Sequence, residues 1–453
     1  MQKTEFNHPA FIATLLTGTF SMSISQSALS TAYPAFMRTF HLGAGTVSWL
    51  TTGFMLVMSL MIPVSPWLLE NIRFDRLFQA VVATFGIGTL LCVWAPSFSV
   101  LMIGRLLEAL AVGIIFPSFQ TVLMTITPED QRGQIMGIAG LVMGSALAVG
   151  PIISGILLTW FHWQALFVLF LIICIVVFLL SYITIKPVMA LHQSPFDWLS
   201  VVLAASFPAL LYVLTSLTKG VSVALLVIAV VAIVAAVWFV YRQLHRTKPL
   251  LELRVFATKR FTQAVFLTGI SYIALIVTTI VMPLFFQTHL HVSPLVSGLS
   301  LVPAAVGLSL LNPYSGKMLD KFGPRRVVLI GMSLIVAGFA LLTILTPHLN
   351  LIGAILLAMV TEAGNAFVMM PAVTTGANAL PKNLLADGTA VTTTMRQLLG
   401  SAGVVLATFS LQQSQALTGN STLSFQITFA IFGVIGLIGL LLGLSLPKVI
   451  KEG

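Results

Sequence analysis

Charge is what this chain has least of. Asp, Glu, Lys and Arg make up 8% of its 453 residues, where a soluble chain carries roughly a quarter, so water is not its main solvent. Long polar gaps are missing too. Hydrophobic stretches of helix length recur from residue 10 to residue 446 with short connections between them, which leaves no room for a soluble catalytic domain. The two cysteines, Cys92 and Cys174, lie in apolar stretches on different segments, so a disulfide framework or thiolate metal site has no support. The eight histidines fall in connections or at segment margins. His289 and His291 form an H-x-H pair read as loop chemistry, and no metal or membrane-embedded metal cluster is expected.

What is present is apolar length. With roughly 17 to 28 residues per stretch, fourteen segments are predicted: 10–34, 47–69, 77–95, 100–126, 133–160, 163–185, 198–217, 221–241, 261–287, 296–314, 327–345, 351–373, 389–410 and 423–446. They must be helices, because backbone groups in hydrocarbon are satisfied within the segment, and barrel strands would alternate with period two. The first carries one nearby lysine, Lys3, and runs past Pro34 without a small-residue cleavage site, which reads as a retained helix.

The net charge of +10 is a topology signal, not a nucleic-acid one. With the N-terminus inside, all of the 22 lysines and arginines except Arg38, Lys219 and Arg105 fall on or near the cytoplasmic side. That pattern favours an even number of helices with both termini cytoplasmic. The seven tryptophans sit near predicted segment ends, the depth where an indole keeps its N–H wet. The two most polar cytoplasmic connections bracket one pair of segments. This divides the chain into a six-helix bundle at 1–190, a linker with two extra helices at 191–248 and a second six-helix bundle at 249–453, a parallel repeat of the kind that places a binding site at the midplane.

Three ionisable residues fall well inside predicted helices: Arg105, Glu108 and Glu362. Such groups are expensive in hydrocarbon and face protein or water. Arg105 and Glu108, three apart, share a helix face and can neutralise each other, as a structural ion pair or in proton or substrate handling. Glu362 has no charged neighbour in its own helix, and Asn365 lies three residues on. Removal from water favours the neutral form of a carboxyl, the property a proton carrier needs, although a permanently protonated structural carboxyl is the alternative. Arg396, at the start of the thirteenth segment, reads as a snorkelling anchor.

The fifth segment carries Gly137, Gly140, Gly144, Ala148, Pro151 and Gly155 within an arc of roughly 80 degrees, a groove for close helix packing. The segment from Gly316 to Arg326 reads as a cytoplasmic loop. Its glycines Gly316 and Gly323 permit a tight turn, Asp320 can accept hydrogen bonds near a helix N-terminus, and Arg325 and Arg326 can bridge helix ends.

These motifs resemble the fourteen-helix drug:proton antiporters of the major facilitator superfamily, the QacA/EmrB type, over nearly the whole chain. The run from Gly316 to Arg326 is similar to that superfamily's cytoplasmic loop signature. Arg105 to Gly113 resembles its helix 4 motif, whose arginine is implicated in proton transfer, with Glu108 where a glutamine is usual. Gly144 through Gly150–Pro151 to Gly155 resembles the antiporter motif associated with export. Trp160–Trp163, Pro249–Phe256, Gly298–Gly307 and Thr394–Gly400 are further similar stretches. On the first helix Ser25–Gln26 stand where the family commonly has an aspartate, and Pro66, Glu70 and Arg73 stand near positions normally held by glycine, aspartate and glycine. The missing first-helix carboxylate shifts attention to Glu108 or Glu362.

The resemblance implies an all-α membrane protein of the major facilitator fold in the cell (inner) membrane. It would export amphiphilic, cationic small molecules against inward proton flow by alternating access. Arg105, Glu108 and Glu362 are the coupling candidates; Gln26, Met143, Tyr272, Asn365 and Met369 are the cavity candidates, with ordinary helix packing as their other reading. Substrate, protons and lipid are the expected partners of a monomer, with no cofactor beyond the proton gradient, no catalytic residues and no nucleic acid. Export of one endogenous metabolite, peptide or lipid-like compound stands as the alternative. An embedded enzyme would need a cluster of reactive groups, and a channel would need rings of like residues.

Overall fold

Helix dominates the computed structural model, which describes residues 7–42, 44–47, 49–191, 195–216, 222–247 and 249–447; no strand occurs among them. Among the described residues each predicted segment is largely helical. In chain order they are α1 His8–Ala28, α2 Trp49–Asn71, α3 Phe74–Val93, α4 Phe98–Ile126, α5 Arg132–Trp160, α6 Gln164–Thr184, α7 in two pieces (Trp198–Ala204 and Ser206–Ser216), α8 Val223–His245, α9 Lys259–Leu284, α10 Val302–Phe322, α11 Pro324–Leu345, α12 Leu351–Asn378, α13 Leu385–Thr418 and α14 Ser421–Leu444.

Local chemistry sets the boundaries. The side-chain oxygens of Asn7, Ser97, Ser222, Asn350 and Asn420 accept backbone N–H groups in the first turns of α1, α4, α8, α12 and α14. Gly419 closes α13 at φ 65° and Gly323 separates α10 from α11 at φ 77°, backbone conformations that favour glycine. Pro63 sits in a 3-10 turn that divides α2.

Among the described residues, eleven helices are long and apolar enough to cross a membrane, fewer than the fourteen expected; α1, α7 and α13 fall short. In α1 every second residue from Thr17 to Ser27 bears a hydroxyl, α13 opens with Asp387 and a run of threonines, and α7 is interrupted at Ala205. Protein supplies what lipid does not. Thr19 and Ser23 donate to the carbonyls of Leu15 and Thr19 at 2.8 and 2.9 Å, and Thr392 and Thr393 to those of Gly388 and Thr389 at 2.7 and 2.8 Å.

Among the first six helices, α1 packs on α5 and α6, α3 on α4 and α6, and α2 on α4. Among the last six, α11 packs on α12 and α14, α9 on α12 and α13, and α10 on α12. The two sets meet along a seam where α5 lies against α10, flanked by α4 on α13 and α5 on α12. The second piece of α7 touches both α2 and α13, and α8 packs on α7. Only 17% of the most apolar stretch of α8 is buried, and Val223, Val230, Val231, Val234 and Val237 lie exposed on it. An apolar surface of that extent belongs against lipid.

Candidate functional site

The seam is tight at one end. A Cβ on Gly137 would stand 2.6 Å from the Asn312 carbonyl oxygen, one on Gly144 2.8 Å from Ser309 Oγ, and one on Gly316 2.1 Å from the Gly133 carbonyl oxygen, so these glycines let α5 and α10 touch backbone to backbone. Asp320, in the last turn of α10, accepts the backbone N–H groups of Gly133 (2.9 Å) and Gln134 (2.8 Å) at the start of α5. Its negative charge there complements the positive end of the α5 dipole. Beside it Arg132 donates to Asn378 Oδ1 at 2.7 Å, and the hydroxyls of Thr121 and Thr389 share a hydrogen bond from α4 to α13. The far end differs. Gly155 is exposed with nothing within 4 Å of where a Cβ would stand, and nothing lies within 4 Å of such an atom on Gly307. The glycine groove therefore stops short of Gly155, contrary to the sequence expectation, because that face of α5 meets no neighbour at Gly155. Gly150 serves a different neighbour: a Cβ on it would stand 1.9 Å from Ser27 Oγ of α1. Pro151 lies within α5, with its side chain outside the described residues.

The signature from Gly316 to Arg326 is not one loop. Gly316 and Asp320 are inside α10, Gly323 alone makes the turn, and Arg325 and Arg326 begin α11 without an ion pair among the described residues.

Arg105 and Glu108 meet, as their spacing predicts, and both are fully buried in the first set. Arg105 Nη1 also donates to Ser25 Oγ of α1 at 3.0 Å, and its guanidinium lies 4.4 Å from the centre of the Phe54 ring of α2. Thr89 of α3 donates to Glu108 Oε1 at 2.7 Å, and Ser25 to Glu108 Oε2 at 3.4 Å. The hydroxyl at 25 thus stands between cation and anion, and the compensating carboxylate comes from α4 instead of α1. Four helices are tied together at this point.

The second set holds Glu362, Asn365 and Met369 on one face of α12, at spacings of three and seven residues. Asn365 Nδ2 donates to Glu362 Oε2 at 3.1 Å, and Ser271 of α9 donates to Asn365 Oδ1 at 2.8 Å. No cation lies within ion-pairing distance of Glu362 among the described residues. From Gly364 to Ala377 every residue is buried except Met369, which is partly exposed. Met143 of α5 is also partly exposed, with Ser23 donating to its sulfur at 3.4 Å. Both methionines edge the same apolar cluster, which joins Met136 and Ala139 of α5 to Met370 and Val373 of α12. Tyr272 of α9 and Met369 share a smaller cluster with Leu275, Leu308 and Ala366. Gln26 is half-buried near the end of α1. No interaction joins Glu108 to Glu362, so the carboxylates occupy separate sets.

Arg396 is corrected by the structure. It lies eleven residues, about 17 Å, into α13, is 9% exposed, and stacks its guanidinium 5.4 Å from the Tyr272 ring centre. A snorkelling anchor would sit at the helix end, not at that depth. Asn312, which sequence reasoning passed over, is fully buried on α10 against Gly140 with neither amide atom hydrogen-bonded. Thr89 and Ser271 were also missed, since a small hydroxyl residue carries no signal until its neighbours are known; Ser25 stands out in the sequence only as occupying the place where the family has an aspartate. Lys3, Lys219, Lys248, Lys448 and Lys451, used for orientation, lie outside the described residues. Among the described residues no group of His, Cys, Asp and Glu could hold a metal.

Comparisons with known proteins agree with this architecture. The family model of the Major Facilitator Superfamily matches residues 15–404. An uncharacterised MFS-type transporter, YcnB of Bacillus subtilis, is 34% identical over 99% of this chain and 97% of its own. The lincomycin resistance protein LmrB of Listeria monocytogenes is 33% identical over 87% of this chain and 85% of its own. Among solved structures, that of the proton:xylose symporter XylE superposes with a TM-score of 0.68 at 12% identity, over 95% of this chain and 94% of that one, a likeness of fold alone. This multi-pass membrane protein with a seamed pair of helix sets belongs to the Major Facilitator Superfamily of transporters.

Proposed function

We propose that this transporter exports amphiphilic small molecules from the cell in exchange for protons, as a drug:proton antiporter. Residues 1–190 and 249–453 rock against each other, with the helices of 191–248 riding at the seam. Loop charges support a reading with the tight end of the seam at the cytoplasm and both chain ends with it. The described geometry is then an outward-facing one, held by Asp320 on the start of α5. Similarity to a lincomycin resistance protein supports export of antibiotic-like compounds.

The observation that carries the reading is Glu362. It is a buried carboxyl with a neutral amide for a partner and no cation in reach, so as an anion it is an unpaired charge inside the bundle, while a proton makes it neutral. Protonation from outside and release to the cytoplasm would couple that difference to the rocking motion. Glu108 is already matched by Arg105, which makes it the weaker candidate for accepting either a proton or a cationic substrate.

The test is uptake of ethidium and several unrelated dyes into everted vesicles energised by a proton gradient. Uncoupler-sensitive uptake of several dyes, abolished in Glu362→Gln and partly retained in Glu362→Asp, is expected. Uptake of no dye would favour a dedicated exporter of one endogenous compound. Full uptake by Glu362→Gln would remove Glu362 from the coupling step.

A further inference from the structure

Three arginines are buried among the described residues, and two of them are compensated. Arg105 has Glu108 and Ser25. Arg132 donates to the Met124 carbonyl at 2.9 Å and to Asn378 at 2.7 Å, with Glu129 at 3.8 Å. Arg396 has no acidic partner among the described residues, and its Nε, like that of Arg105, has no hydrogen-bond partner. Its one contact of note is the face of Tyr272. A guanidinium cannot shed its charge at any physiological pH, and an uncompensated buried cation lowers stability. The position is therefore poor as architecture and suited to receiving an anion.

The surroundings are built to match. Gly400, one turn along α13, has no side chain, and a Cβ there would stand 2.7 Å from two carbons of the Tyr272 ring, so the ring seats directly on the helix backbone. The Tyr272 hydroxyl donates to Gln397 Oε1 at 3.4 Å. Tyr272, Leu311 and Met369 all pack against the buried cluster of Leu275, Leu308 and Ala366, and Met369 is the one partly exposed residue between Gly364 and Ala377. A planar cation, a fixed aromatic face and an apolar wall thus lie side by side at mid-height of the second set.

We propose that Arg396 is a recognition site for the carboxylate of an amphiphilic substrate, whose apolar body lies along Tyr272 and Met369. The fork of guanidinium donors matches a carboxylate in two parallel hydrogen bonds, and entry of that group supplies the charge the protein omits. The substrates then include acids and zwitterions as well as the cations suggested by the family resemblance. This deepens the export reading by naming a substrate class, and it depends on that reading only for the direction of transport.

Rhodamine 123 and rhodamine 110 make a matched pair, the second carrying a free carboxylate where the first carries a methyl ester. Binding of each to the purified full chain in lipid nanodiscs, without a gradient, is measured for the wild type, Arg396→Gln and Arg396→Lys. The expected result is that Arg396→Gln weakens rhodamine 110 binding about ten-fold or more while leaving rhodamine 123 within about two-fold, and that Arg396→Lys retains part of the preference. The ligand-free Arg396→Gln protein should melt no lower than wild type, because an uncompensated charge has been removed. An equal loss for both dyes, no loss for either, no rhodamine 110 binding by the wild type, or a fall in melting temperature would each overturn the proposal and leave Arg396 as a support for Tyr272. Because no gradient is present, a failure of proton coupling in the vesicle experiment leaves this result unaffected.

Discussion

At the scale of single residues, the charges inside the bundle are distinguished by what each is paired with. Arg105 and Glu108 form a buried pair tied to hydroxyls from two other helices. Removing one partner strands the other, whereas replacing both need not. Glu108→Gln is therefore expected to cost about 3–5 kcal/mol of stability, with the double replacement Arg105→Gln/Glu108→Gln costing less than the single one. Thermal melting of the three variants in lipid nanodiscs checks this; additive losses would show that the pair is not a coupled unit. The pairing itself is readable from the i, i+3 spacing. Its other partners are not, because Ser25 and Thr89 come from α1 and α3: nothing local distinguishes Thr89 from its neighbours, and the place of Ser25 at the family's aspartate position does not say what it meets. Arg396 went astray for a related reason: position along a segment indicates depth in the membrane, but not which side of the helix meets protein.

Among elements, α7 and α8 are held by a polar clamp. Asp197, capping the start of α7, pairs with Arg242 at 3.0 Å and Arg246 at 2.6 Å. Gln243, fully buried on α8, donates to Ser200 at 2.7 Å and accepts the backbone N–H groups of Leu250 and Leu251 at 2.7 and 3.2 Å. That ties both extra helices to the beginning of the second set. Burial pushes the Asp197 carboxyl up, but the hydrogen bonds from Arg242 and Ser200 outweigh it and hold the group below the usual carboxylate range. A depressed carboxyl contributes stability that is fully present above its unfolded value of about 3.9 and lost as pH falls through its lower folded value. Hydrogen exchange in Trp198–Ser216 should thus be steady between about pH 5 and 8, after correction for intrinsic rates, and accelerate below about pH 4. Asp197→Asn should raise exchange across the neutral range; an unchanged rate would mean the clamp does not hold α7. The shortfall of α1 and α13 as apolar spans belongs at this scale too. Their hydroxyls bond their own helix carbonyls and their faces are covered by neighbours, so hydropathy understates how well they fit inside a bundle.

For the molecule as a whole, closure of the tight end depends on backbone contact between Gly133 and Gly316, sealed by Asp320. A larger residue at 316 meets the Gly133 carbonyl oxygen directly. Overpacking of that kind costs about 1–3 kcal/mol, enough to shift a two-state balance roughly 5- to 150-fold. Gly316→Val is expected to move the population toward states open at that end, seen as longer distances between spin labels at positions 134 and 321, with uncoupler-sensitive dye uptake reduced. An unchanged distance distribution would mean that this contact does not decide which end opens.

Sequence alone determined that the chain is a helical membrane protein, where its apolar segments lie, and that Arg105, Glu108 and Glu362 are costly groups within its helices. Those are local properties: hydropathy, segment length and spacing within one helix are set by consecutive residues. Only the tertiary structure decided which partner each polar group has. Ser25 lies 80 residues from Arg105 and Ser271 94 residues from Asn365. Contacts over such separations depend on how helices pack, and every apolar helix presents a similar surface to its neighbours. The same packing buried Arg396 without a counter-ion, parted α5 from α10 beyond Gly144 and turned a stretch resembling a loop signature into a helix cap across the seam.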